Sequence, residues 1–182
     1  MKKERKLIMI PKFGLSDEQR HGVINALNSV LADENLLYIK LRNYHWNVVG
    51  PQFLSLHELF EKQYKKIQKL ADTVAERARA HGGQAIGTME EFMELTRLEE
   101  KRDDYPNARG MIFNLVQDHE TMVRNLREDA RICAEVYKDV ATEDLFIGLM
   151  QEHEEMAWML RSFIEGEGVQ TTSTAETKVS VS

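Results

Sequence analysis

Apolar residues recur three and four positions apart along most of this chain, and the rhythm lapses at its prolines. The pattern predicts long amphipathic helices with short breaks between them. Pro11, Pro51 and Pro106 are the three prolines, and each lacks the amide that a helix interior needs. Ser16 with Gln19 makes a capping box for a first helix, which carries Leu27, Leu31, Tyr38 and Leu41 and runs to about His45. Asn47-Val-Val-Gly-Pro51 is a short connection. A second helix extends from about Phe53 to His81 and stops at Gly82-Gly83, with the histidine favourably placed at its C-terminal end. Thr88 and Glu91 cap a short helix that ends near Thr96. After the charged loop 97–106, a third long helix reaches about Lys138, and Thr142 caps a fourth that ends at Glu165.

Four long helices with one short helix between the second and third indicate an all-α bundle. The connection between those two helices, about 25 residues, is long enough to travel the length of a bundle, which a plain up-down topology does not need. Residues 1–15 are expected to form a flexible basic N-terminal tail, 16–165 the bundle domain, and the polar, aperiodic stretch 166–182 a flexible C-terminal tail.

Composition narrows the class. The chain has 182 residues, enough for one domain, and 42% hydrophobic content can build a real core. A formal net charge of −6 argues against a surface built throughout for nucleic acid, although Lys2, Lys3, Arg5 and Lys6 make a local basic patch. No apolar run of signal-peptide or membrane-spanning length follows them, so the expectation is no membrane association and cytoplasmic residence. The single cysteine, Cys133, excludes an intrachain disulfide and Cys-based zinc clusters.

On the second helix Phe53, Leu56, Phe60, Ile67 and Val74 form the apolar stripe expected to face the core. A different face, an arc of roughly 100°, holds His57, Glu61, Asp72 and Glu76. His57 with Glu61 and Asp72 with Glu76 are each four residues apart and share a face. His57 and Asp72 are separated by about 22 Å of helix, too far for one metal ion to touch both. Two copies of the helix crossing antiparallel about a dyad between positions 66 and 67 would set His57 against Glu76 and Glu61 against Asp72. The same dyad would bring Lys65 against Gln68. His45, ending the first helix, lies at the same end of the bundle as His57. Two imidazoles from one chain and carboxylates from both suit ferrous iron, manganese or zinc better than calcium or magnesium. A solvated face with two incidental histidines would show the same spacing.

The segments Asn43-Tyr-His-Trp-Asn-Val48, Phe53-Leu-Ser-Leu-His-Glu-Leu-Phe-Glu61 and Asp72-Thr-Val-Ala-Glu-Arg77 resemble the signature of the Dps family, DNA-binding proteins from starved cells within the ferritin-like superfamily. The resemblance extends from about Leu27 to Phe163, and takes in Asp118-His-Glu120 and His153-Glu-Glu-Met-Ala-Trp-Met-Leu160. It implies a ferritin-like four-helix bundle with a short extra helix in the second-to-third connection, assembled as a hollow homododecamer. It also implies Fe(II) binding, oxidation preferentially by hydrogen peroxide, and storage of the ferric product. The family's ferroxidase centre lies between two-fold-related subunits. Its ligands correspond to His45, Asp72 and Glu76 for the tighter iron position, with His57 and Glu61 completing the second. Glu61 is aspartate in some relatives, and its extra methylene extends the carboxylate's reach. Trp46 resembles the family's tryptophan beside the centre, which can exchange an electron; pure packing at an interface is the alternative.

Glu135, Asp139 and Asp144 correspond roughly to acidic residues lining the family's three-fold pores, where converging carboxylates draw in cations. As isolated charges they are equally a solvated turn. Multiple copies of Lys2, Lys3, Arg5 and Lys6 could bind DNA phosphates, which would add nucleoid association to the expected location. Zinc is a competing occupant of the metal site. His119 and His153 offer a second metal reading, but the Glu-x-x-His spacing of a centre inside one bundle occurs only at Glu18–His21. Packing and hydrogen bonding are the expected roles of His119 and His153, and His21 and His81 are expected at helix ends.

Overall fold

The first helix opens where its capping box predicts, since Ser16 accepts from the Gln19 amide and the Gln19 side chain accepts from the Ser16 amide. The computed structural model describes residues 10–103 and 105–165. Within them lie α1 (Asp17–Asn47), α2 (Phe53–Ala80), α3 (Met89–Leu95), α4 (Ala108–Glu135) and α5 (Val140–Glu165), with no strand among the described residues. Lys2, Lys3, Arg5, Lys6 and residues 166–182 lie outside the described residues. No helix among those described is long and apolar enough to cross a membrane.

α1 packs along α2 and α4 along α5, so the bundle consists of two helical hairpins joined by the crossover 81–107, with α3 lying against α1. The apolar stripes meet as expected. Leu27, Leu41, Leu56, Phe60, Ile67, Val74, Leu115, Leu126, Phe146 and Leu160 are all fully buried, each contributing about 1.5–3 kcal/mol relative to exposure. Phe53 departs from its stripe. It stands at the first position of α2, beyond the end of the core, and is 44% exposed, with its ring 5.1 Å from that of His57.

The crossover is held by a buried carboxylate. Asp33 on α1 accepts from the Thr96 hydroxyl (3.0 Å), the Arg97 amide (2.6 Å) and the Arg97 guanidinium (2.7 and 2.8 Å). Arg97 also reaches Asp129 on α4 at 2.8 Å. One guanidinium therefore ties the loop to two helices. The hairpins approach closely where Gly22 meets the Tyr137 ring, and a Cβ at Gly22 would come within 2.2 Å of it.

Two boundaries differ from expectation. α4 stops at Glu135 because Lys138 takes a left-handed φ of +59°, which a continuing helix cannot contain. The cap of α5 is Asp139 rather than Thr142: the Asp139 carboxylate accepts from both the Thr142 amide (3.3 Å) and the Thr142 hydroxyl (2.5 Å). Beside this turn Cys133 is buried, and its thiol is pushed up to about 12 by burial and by the Asp139, Asp129 and Glu143 carboxylates. The end of the segment expected to be a flexible tail also has defined contacts. Pro11 lies against Gly82, and the Phe13 ring stands edge-on to His81 at 6.0 Å.

Candidate metal centre

Helix geometry brings two imidazoles together at one end of the α1–α2 hairpin. His45 sits in the last turn of α1 and His57 near the start of α2, and the five-residue connection 48–52 folds one over the other. Their rings stack with centroids 3.8 Å apart and planes at 20°. His45 Nδ1 is 2.8 Å from the His57 carbonyl, and His57 Nδ1 is 2.9 Å from the His45 carbonyl. A carbonyl only accepts, so each Nδ1 must donate. The remaining nitrogen of each neutral ring, Nε2, therefore carries a lone pair, and the backbone fixes this metal-ready tautomer.

Glu61, one turn after His57, is half-buried and hydrogen-bonded to Lys65 at 2.5 Å. The Lys65 ammonium holds its carboxyl below the usual range. The lysine expected to face Gln68 across a dyad is thus engaged with Glu61 within its own helix. Asp72 and Glu76 stand at the other end of α2, both exposed, and no hydrogen bond or ion pair engages either among the described residues. The structure brings His45 and His57 together, sets Glu61 one turn further along α2 on Lys65, and leaves Asp72 and Glu76 apart from them. Among the described residues of one chain, no group of three or more His, Cys, Asp or Glu side chains could hold a metal ion. Beside Asp72, an open groove lined by Leu31, Tyr38, Lys65, Gln68 and Ile86 follows the α1–α2 face.

Trp46 is 62% exposed, and the Arg42 guanidinium lies 4.7 Å from its ring and 5.2 Å from that of Tyr38. Tyr38 stands edge-on to Tyr64 (5.9 Å), which stands edge-on to His45 (5.4 Å). Arg42, Tyr38 and Tyr64 were not singled out by the sequence, although each lies one or two helical turns from a candidate ligand. Tyr44 turns into the core, where Asn114 donates to its hydroxyl at 2.9 Å.

Of the three pore candidates, Glu135 is exposed and paired with Arg131 at 2.5 Å, and Asp144 is exposed. Asp139 is not a free carboxylate. It is buried, caps α5, and contacts Arg77 (3.2 Å) and His81 Nε2 (3.1 Å). Burial disfavours its charge, but Thr142 and Arg77 overcome this and hold it below the ordinary aspartate value. His81 is itself buried; burial and the neighbouring Arg77 push its imidazole below its ordinary value, against the pull of Asp139. His119 and His153 have the hydrogen-bonded core role expected of them, with Nδ1 atoms 2.9 Å apart. Glu18 and His21 are both exposed.

The model of the ferritin-like domain matches residues 24–167. An uncharacterised low temperature-induced protein of a Nostoc species is 53% identical over 171 residues, covering 92% of this chain and 96% of that protein. The DNA protection during starvation protein 2 of Bacillus anthracis is 40% identical over 142 residues, covering 78% of this chain and 96% of its own length. Among solved structures, DpsC from Streptomyces coelicolor superimposes with a TM-score of 0.82 at 28% identity, covering 90% of this chain and 96% of that one.

Proposed function

The chain belongs to the ferritin-like proteins, in their Dps branch, and from that premise we propose that it is an iron-storing mini-ferritin that protects DNA. In this reading it is a ferroxidase, oxidising Fe(II) at sites completed between two subunits of a homododecamer. The observation that carries the proposal is the reciprocal bonding of His45 and His57, which leaves an Nε2 lone pair on each ring, with Glu61 one turn along α2 from His57. A half-site of this kind needs further ligands, and Asp72 and Glu76 are unengaged on the same helix. The antiparallel dyad described above carries them to a neighbour's histidines. Iron is the substrate here: His45, Asp72 and Glu76 hold one Fe(II), and His57 and Glu61 hold the second.

The same site supports peroxide as the preferred oxidant. Two Fe(II) supply two electrons, and one hydrogen peroxide takes them with two protons to become two waters, so no hydroxyl radical is released. Trp46, with Arg42 against its ring, is placed to exchange an electron with the centre or to fill the interface. Glu135 and Asp144 are the pore candidates that remain exposed in the chain. Lys2, Lys3, Arg5 and Lys6 are the proposed phosphate contacts for DNA, and the protein's place is the cytoplasm, beside the nucleoid when DNA is bound. Zinc suits the same imidazole and carboxylate donors and competes with iron.

Anaerobic Fe(II) titration of metal-free protein, followed by stoichiometric peroxide, tests the reading. Saturation near about two Fe(II) per site with rapid ferric absorbance is expected. Asp72→Ala with Glu76→Ala should abolish both, and oxidation at the wild-type rate in that variant overturns the site.

A further inference from the structure

A second polar cluster lies inside the bundle, in the part of the molecule the ferroxidase reading does not use. Glu34 on α1, His119 on α4 and His153 on α5 are each 0% exposed. His153 Nε2 lies 3.0 Å from Glu34 Oε1, and its Nδ1 lies 2.9 Å from His119 Nδ1. Three buried polar atoms here have no partner: Glu34 Oε2, His119 Nε2, and Oε1 of Gln63, whose amide donates to the Met156 carbonyl at 3.1 Å. No Lys or Arg side chain pairs with Glu34 among the described residues. The α2 residues turned into the core beside the cluster are Leu56, Phe60, Gln63 and Ile67, none of them charged. Glu34 has only His153 as its partner, and a carboxylate buried this deeply is held only where a proton or another positive charge sits beside it.

The sequence repeats itself at this point. His119-Glu-Thr-Met122 on α4 and His153-Glu-Glu-Met156 on α5 are both histidine followed three residues later by methionine, and both methionines are buried. Residues three apart share a helix face, and side chains lean towards the helix N-terminus, so each methionine covers the turn that bears its own histidine. The helices of this hairpin run antiparallel, so Met122 and Met156 lie one turn from the histidine pair on opposite sides of it along the bundle.

We propose that this cluster is a binding site for a soft monovalent metal ion, copper(I) being the physiological example, with His119 Nδ1, His153 Nδ1 and the Met122 and Met156 thioethers as donors. Two neutral imidazoles and two thioethers are a soft, uncharged set that suits copper(I) and offers little to magnesium or calcium. The ion's single charge takes the place of a proton beside Glu34. Glu34 takes the outer position, accepting from His153 Nε2–H and fixing the tautomer that presents Nδ1 to the metal. His119 carries its ring proton on Nε2 when the ion is bound, so that both Nδ1 lone pairs face the metal. Two metal–nitrogen bonds of about 2.0 Å at a tetrahedral angle span about 3.3 Å, so the rings must part by a few tenths of an ångström from 2.9 Å.

The test uses the assembled full-length protein, incubated anaerobically with copper(I) buffered by a chromophoric chelator, long enough for the bundle to open transiently. One copper(I) withdrawn from the chelator per chain is expected, with both nitrogen and sulfur scatterers in the copper X-ray absorption spectrum. Met122→Leu with Met156→Leu keeps the core volume, and should remove the sulfur signal and weaken retention at least about tenfold. His45→Ala with His57→Ala should leave the sulfur-bound copper(I) in place, which separates this site from the intersubunit one. No withdrawal of copper(I) overturns the proposal, as does copper retained without sulfur scattering or copper lost in the His45/His57 variant. Silver(I), which has no accessible redox change, repeats the stoichiometry without interference from oxidation.

Discussion

Asp33→Ala puts the crossover anchor to a quantitative test. The carboxylate is fully buried and accepts four contacts, from the Thr96 hydroxyl, the Arg97 amide and two guanidinium nitrogens of Arg97. Breaking a buried ion pair by removing one partner costs about 3–5 kcal/mol, because the other charge is left without compensation. Arg97 softens that cost in two ways: its side chain is 30% exposed, so water reaches it, and it keeps Asp129 at 2.8 Å. The expected loss is therefore at the lower end, about 3 kcal/mol, or roughly a hundredfold in the ratio of folded to unfolded chain. Guanidinium unfolding measures it, with wild type and variant at the same fixed chain concentration. Hydrogen exchange should rise first in 96–107 and only later in α2 and α5. Arg97→Met alone and with Asp33→Ala closes a double-mutant cycle, expected to show coupling of about 2 kcal/mol between the two residues. A loss within about 0.5 kcal/mol of zero for Asp33→Ala, with 96–107 as protected as in the wild type, would refute this account of the anchor.

Lys65→Met should return the Glu61 carboxyl towards its ordinary value and free it from its ammonium partner. The acidic edge of iron loading then moves to higher pH, while loading of the second position tightens near neutrality; Fe(II) titrations at stepped pH read both. Gly22→Ala should destabilise the fold by about 1–3 kcal/mol through the clash with Tyr137, and Tyr137→Leu should recover most of that in the double variant, as followed by thermal unfolding. His81 is held below its ordinary value near about 6.5, so the unfolded chain takes up this proton first as pH falls. Stability from this group is complete above about 6.5 and declines on acidification, and His81→Gln should flatten that part of the melting-temperature profile.

The helices were legible because their signals are local: the Ser16 and Thr88 capping boxes, the stripes through Leu56 and Ile67, and glycines after His81 all act within a turn or two. The meeting of His45 and His57 was legible for a related reason, since they flank a connection too short to separate them. The errors lie where tertiary contact decides. Phe53 follows the apolar period of α2 but falls beyond the core's end, and Asp139 rather than Thr142 caps α5 while also meeting Arg77 from another helix. Glu34 carried no warning in the sequence. A carboxylate in a helix reads as a surface residue, and only the convergence of α1, α4 and α5 reveals its place in the core.

Cys133 turns burial into a clock. With its thiol pushed up to about 12, almost none of the protein carries the reactive thiolate at neutral pH while the fold is closed. The fold thus keeps the chain's single sulfhydryl out of reach of oxidants. Modification of Cys133 by a thiol reagent must await opening of the α4–α5 turn, and its rate under native conditions counts those openings chain by chain. Any ligand or neighbouring subunit that clamps this end of the bundle should slow that rate without touching the sulfur.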